Sequence, residues 1–193
     1  MSQRIFESIK EFLSSQNANF KVVSHAEART SEEVARLRNT ELGQGAKALV
    51  CSIKGVNLDA LDDTACSAPH HLRLDDDKPR TKANKIFVLA VLPADHQADL
   101  DALAVALGGT KTSLASPSEV LELTDCVFGS VPPFSFHKNL LLIADPSLFE
   151  RYEEIAFNAG LLDHSIILNT KDYEKIVRPK LVKFAMINQE MQQ

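Results

Sequence analysis

A lysine at position 47 closes the small-residue stretch Gly43-Gln44-Gly45-Ala46 and opens the apolar run Ala48-Leu49-Val50-Cys51-Ser52-Ile53, so a flexible cation sits where a buried strand should begin. Far along the chain, Gly129-Ser130-Val131-Pro132-Pro133-Phe134 joins a glycine able to take positive φ to two prolines that fix φ and carry no amide donor. Such a loop is stiff and presents few free amides, those of Gly129, Ser130 and Val131. A positive charge facing rigid backbone donors stabilises negative charge developing on an oxygen. The chemistry therefore depends on whether the fold brings the two segments together. A free lysine titrates near ~10.4, so Lys47 reads as an electrostatic clamp on a phosphate or carbonyl oxygen rather than as a base. A solvated strand-start residue and an ordinary tight turn are the plain alternatives.

The elements that must position these residues follow from periodicity. Ile5, Phe6, Ile9, Phe12 and Leu13 recur at helical spacing over residues 2–16, after Ser2 as a cap. Phe20 to His25 alternates as a short strand. Thr30-Ser31-Glu32-Glu33 opens a second helix at capping-box spacing, ending between Asn39 and Gly43. Lys47 to Ile53 and Ile86 to Leu92 are strongly β-prone. Between them, the polar segment 57–85, with its aspartate clusters, reads as a loop insertion. Asp99 to Leu107 is helical and stops at Gly108-Gly109; Ser116-Pro117-Ser118-Glu119 starts another helix with proline in its first turn. Leu140 to Ala144, Glu154 to Asn158 and Ser165 to Asn169 read as strands, and Thr170 onward as a closing helix. The irregular alternation favours α+β, a curved mixed sheet with helices packed around it, over a doubly wound fold.

At 193 residues, 45% of them hydrophobic, the chain can fill one good core, and a single domain spanning 1–193 is expected. No apolar stretch is long enough to cross a bilayer and no targeting signal is evident, so a cytoplasmic protein is expected. A net charge of -5 argues against non-specific coating of DNA or other nucleic acid and leaves room for a local basic patch. Cys51, Cys66 and Cys126 lack C-x-x-C spacing, and the group His70, His71, Cys66 and Asp75 fits no zinc pattern, so no metal or cofactor is expected.

With those segments in view, the chain resembles the YbaK/EbsC family, the aminoacyl-tRNA editing domain related to the insertion domain of prolyl-tRNA synthetases, and is most similar to its free-standing YeaK-like members. The resemblance is carried by Phe20-Lys21-Val22-Val23-Ser24-His25, Leu42-Gly43-Gln44-Gly45-Ala46-Lys47-Ala48-Leu49-Val50-Cys51, Val88-Leu89-Ala90-Val91-Leu92, the Gly-x-x-x-Pro loop from Gly129 to Pro133, and Ala159-Gly160-Leu161-Leu162-Asp163. It implies a barrel-like mixed sheet wrapped by helices. It also implies hydrolysis of the ester joining a wrong, small amino acid (alanine, serine or threonine) to tRNA, with Lys47, Gly129, Ser130, Val131 and Pro133 as the catalytic set and the substrate's own 2′-hydroxyl helping to move water.

Around that set, His25, Thr30, Pro132 and Asp163 are expected at the substrate. His25 either hydrogen-bonds the substrate or satisfies backbone beneath the pocket; Asp163 either faces the α-amino group or caps the next strand. Lys171, Lys175 and Arg178 share one face of the last helix, followed by Lys183, as a patch for the acceptor-stem backbone or as a solvated surface. The expected partner is mischarged aminoacyl-tRNA, with a synthetase or elongation factor as a further possibility. The alternative function is a non-catalytic aminoacyl-tRNA binding or synthetase-associated regulatory module.

Overall fold

The computed structural model describes residues 2–56 and 85–187. The expected insertion at 57–85 lies outside the described residues except for Lys85, and so do Cys66, His70, His71 and Asp75.

Helix α1 (Ser2–Ser15) buries Ile5, Phe6, Ile9, Phe12 and Leu13, the stripe its 3.6-residue spacing lays on one face. Strand β1 (Phe20–Ser24) leads to α2 (Ser31–Arg38), whose Thr30 and Glu33 close a reciprocal capping box and whose last turn ends on Asn39 in the left-handed region. A 3₁₀ turn at Leu42–Gln44 delivers the chain to β2 (Ala46–Lys54). Next come β3 (Lys85–Pro93), β4 (His96–Ala98), α3 (Leu100–Ala106), β5 (Lys111–Leu114), α4 (Pro117–Thr124), β6 (Leu140–Ala144), β7 (Glu154–Asn158), β8 (His164–Asn169) and α5 (Thr170–Val177). The closing helix is shorter than its sequence pattern suggests. Arg178 takes φ 47° and ends it, and β9 (Lys180–Leu181) and β10 (Ala185–Ile187) follow.

The described strands form three sheets, none closed on itself, so the expected curved mixed sheet is divided and no closed barrel is seen among them. The five-stranded sheet runs β5-β2-β3-β6-β9; β2 is antiparallel to both neighbours, whereas β3–β6 and β6–β9 are parallel. The antiparallel sheet β1-β8-β7 and the pair β10-β4 complete the set. Both faces of the central sheet are covered. Val50, Phe87, Leu89, Val91, Leu140 and Leu142 pack toward α1 and the three-stranded sheet. Cys51, Ile53, Val88, Ala90, Leu92 and Ile143 pack toward α3 and the C-terminal segment at Val182 and Phe184. Double burial explains why β3 and β6 read as unbroken apolar runs. The two larger sheets meet at one isolated parallel bridge, Gly45 to Ala156, and splay apart beyond it.

Among the described residues, no helix is long and apolar enough to cross a membrane, and no group of three or more His, Cys, Asp or Glu is placed to hold a metal ion.

Candidate active site

The splay between the sheets opens a cavity of about 250 Å³, roofed by α2 and by the loop that follows α4. Six consecutive residues, Gly45 to Val50, border it. Side chains of a strand alternate between faces, so a continuous run on one wall means that the edge of β2 borders the cavity. That edge is open because β5 pairs with β2 only from Cys51 to Lys54. Ala156, Phe157 and Asn158 of β7 form the opposite wall. Lys47, Gly129 and Val131 all border this one cavity, so the segments singled out by the sequence converge.

Hydrogen bonds fix the loop. Asn158 Nδ2 donates to the Gly129 carbonyl at 2.7 Å, and the Ser130 amide, in the same peptide, donates to the Val127 carbonyl at 3.1 Å. The Gly160 amide donates to the Ser130 carbonyl at 2.9 Å, and the buried Tyr173 hydroxyl donates to the Pro133 carbonyl at 2.7 Å. In a trans peptide the C=O and N–H point opposite ways, so holding the Ser130 carbonyl on Gly160 turns the Val131 N–H the other way. The amides of Gly129 and Val131 hydrogen-bond to no described residue. This corrects the expected donor set: the Ser130 amide is taken by the turn, and Gly129 and Val131 remain. Gly129 has φ 84°, which favours glycine, and a Cβ there would crowd the Arg29 carbonyl oxygen at 3.1 Å.

Lys47 donates from Nζ to the His96 carbonyl at 2.5 Å. Burial pulls its pKa below that of an ordinary lysine, while Glu32 and Asp95 act in the opposite sense. An ammonium group has three N–H donors, and the His96 carbonyl takes one of those of Lys47. Asp95 is itself held down to about 2: burial opposes its ionisation, but hydrogen bonds from Arg151 and His96 outweigh it.

Of the residues expected around the substrate, Thr30 lines the cavity, and its side chain caps α2. Pro132 and Pro133 are buried behind the loop and do not line it. His25 does not line it either. Its Nε2 lies 2.8 Å from Ser165 Oγ and its Nδ1 2.8 Å from the Ala26 carbonyl, so the ring supports the wall from behind. Asp163 sits at the turn between β7 and β8, with its carboxylate on His164 Nδ1 at 2.7 Å, away from the cavity; that hydrogen bond holds its pKa below the usual carboxylate value. Lys171 and Lys175 on α5 and Arg178 at its C-terminal cap are exposed and also lie off the cavity wall. Cys51 and Cys126 are buried free thiols pushed up to about 12 by burial, which makes them inert.

Two wall residues escaped the sequence reading. Asn158 pairs with Ser165 across β7 and β8, and Ser165 Oγ donates to Asn158 Oδ1 at 2.9 Å; His25, Ser165, Asn158 and Gly129 thus form one hydrogen-bonded series ending at the loop. Arg38 is buried on the cavity wall. Its signal was present in the helical pattern, because it falls four residues after Val34 and three after Ala35, on the apolar face of α2.

Comparison with known proteins fits this geometry. A model of the aminoacyl-tRNA editing domain family matches residues 25–176. The multifunctional Ser/Thr-tRNA deacylase ProXp-y of Escherichia coli strain K12 is 50% identical over 172 residues, covering 89% of this chain and 87% of that protein, and its counterpart of the same name in Escherichia coli O157:H7 matches equally. A crystal structure described as a candidate trans-editing enzyme for prolyl tRNA synthetase superposes with a TM-score of 0.68 at 21% identity, covering 94% of this chain and 97% of that one. The hypothetical protein APE2540 superposes with a TM-score of 0.70 at 17% identity, over 93% and 99%. At these identities the likeness to solved structures concerns the fold alone. With a family model spanning most of its length and a relative at half identity, the chain belongs to the aminoacyl-tRNA editing domain family.

Proposed function

We propose that this protein hydrolyses the ester of tRNA mischarged with a small amino acid, serine and threonine foremost, acting in trans. The observation that carries the reading is the convergence of Lys47 with the pinned Gly129 to Pro133 loop on one cavity, in a chain half identical to a protein named as a Ser/Thr-tRNA deacylase.

An aminoacyl ester is labile, so orienting water and stabilising the tetrahedral oxyanion suffice for a large acceleration. The amides of Gly129 and Val131 supply the oxyanion donors, each worth about 3 kcal/mol when preorganised. Lys47 supplies positive charge beside them, and the 2′-hydroxyl of the terminal ribose helps position water. The wall is mainly apolar, with Val34, Val50, Val120 and Phe157, and in this reading these side chains crowd the amino acid and favour small ones. Apolar pockets separate near-isosteres poorly, so serine, threonine and alanine esters are all accepted. The exposed Lys171 and Lys175 of α5 and Arg178 at its C-terminal cap offer a secondary contact for the acceptor-stem backbone. Charge reversal there is expected to weaken tRNA binding and flatten its salt dependence; an unchanged salt slope rejects that contact.

The test is multiple-turnover deacylation of tRNAs charged with alanine, serine and threonine. An enzyme releases amino acid repeatedly, whereas a binding module protects the ester and slows its loss.

A further inference from the structure

Arg38 is the last residue of α2, is only 8% exposed, and borders the cavity. Its Nε has no hydrogen-bond partner, and the guanidinium makes no ion pair with a described residue. Burial alone draws its pKa down to about 10. A buried cation without a partner is unfavourable, and a ligand that brings anionic oxygens removes that penalty. The other charged side chains on the wall are Arg29 and Lys47, so every charge bordering the cavity is positive in a chain whose net charge is -5. The cavity is built for an anion.

Position narrows the choice of anion. A Cβ on Gly45 would lie 3.7 Å from Arg38 Nη2, which places the guanidinium where Gly45 bridges Ala156. Asn158, which holds the Gly129 loop, is two residues further along β7, about 7 Å away at the usual strand rise. One ribose carrying a 3′ ester and a 5′-phosphate spans that interval.

We propose that Arg38 binds the 5′-phosphate of the terminal nucleotide of the substrate through its guanidinium fork, while the Gly129 loop holds the 3′ ester. The assignment rests on the deacylase reading above and gives it a nucleotide anchor that no part of that reading requires. Arginine suits the role because its planar donors match two phosphate oxygens at once.

Seryl esters of adenosine and of adenosine 5′-monophosphate test it directly, with the wild-type protein and Arg38→Gln compared at one ionic strength. Wild type is expected to favour the phosphorylated ester by at least about tenfold in kcat/KM, mainly through KM, and the ratio to fall to about one in Arg38→Gln. A wild-type ratio near one overturns the assignment, as does a ratio that survives the substitution. Equal loss on both esters in Arg38→Gln also overturns it, because that result places Arg38 at the reacting oxygen. Should Arg38→Gln fail to fold, wild type alone decides: adenosine 5′-monophosphate must bind at least about tenfold tighter than adenosine, and equal affinities overturn the site. If neither ester nor charged tRNA is turned over, the deacylase reading fails by itself, and the same two affinities still decide the phosphate site.

Discussion

Asn158 holds Gly129: its side-chain amide donates to the glycine carbonyl at 2.7 Å and ties the last residue of β7 to the loop that roofs the cavity. Ser165 orients Asn158 from the paired strand, and His25 stands behind Ser165. Asn158→Ala is expected to lower kcat about 10- to 100-fold while leaving a folded protein, since a small displacement of the reacting geometry has that effect. Ser165→Ala is expected to have a smaller effect and His25→Ala a smaller one still. Steady-state kinetics alongside thermal denaturation checks the order; equal kcat in Asn158→Ala and wild type removes the role of the series.

Gly129→Ala tests the loop's backbone. The positive φ and the 3.1 Å approach to the Arg29 carbonyl oxygen both resist a methyl group. A loss of about 1–2 kcal/mol in stability is expected, together with a fall in kcat larger than that loss explains, because the amides move with the loop. Urea denaturation and kcat measured on the same preparation separate the two effects.

Lys47 sets a pH dependence. Burial, partly offset by Glu32 and Asp95, lowers its pKa in the folded protein, so the ammonium is lost at lower pH than that of an exposed lysine. The enzyme-dependent rate, after subtraction of spontaneous hydrolysis, should turn down on the alkaline side with an apparent pKa below ~10.4. Stability carries the opposite sign. Between the folded and unfolded pKa values the unfolded chain binds more protons, so the contribution of Lys47 to stability rises with pH over that window. Lys47→Met should abolish both trends; an unchanged alkaline limb in the mutant assigns it to another group.

Asp145 secures the C-terminal segment. Its buried carboxylate accepts from the amides of Phe184 and Ala185, both at 2.7 Å, and from Ser147. Burial opposes ionisation, but these donors prevail and its pKa is lowered. Asp145→Ala leaves these amides unpaired and should cost about 3 kcal/mol, a fall of roughly 6–12 °C in Tm. The stabilisation is present above the ordinary carboxylate pKa and is lost as pH falls through the lowered folded value. The gap in Tm between wild type and mutant should therefore shrink in acid.

What could be read from the residues was local. The Thr30–Glu33 and Ser116–Glu119 capping boxes are three-residue relationships, and the doubly buried strands β2 and β3 announce themselves by composition. Lys47 and the Gly129 loop stood out because a cation before an apolar strand and a glycine before two prolines are locally unusual. What escaped was set by distant partners. Strands β9 and β10, of two and three residues, exist only because β6 and β4 pair with them. Asn158 and Ser165 meet across a hairpin register that no spacing rule predicts, and the pairing of β1 with β8 brings His25 to Ser165. Asp163, expected at the substrate, belongs to the outer turn because His164 takes its carboxylate. The barrel implied by the family resemblance gives way to sheets that meet at one bridge and part, and the cavity lies in that parting.

If the proposed function is right, the cavity destroys the ester and does not merely hold it. Multiple-turnover deacylation of seryl-tRNA by wild type and Lys47→Ala measures this most directly. Many molecules of serine released per molecule of wild-type protein are expected, with a fall of about 100-fold or more in the folded mutant. Release by the wild type no faster than in buffer, or an undiminished rate in Lys47→Ala, contradicts it.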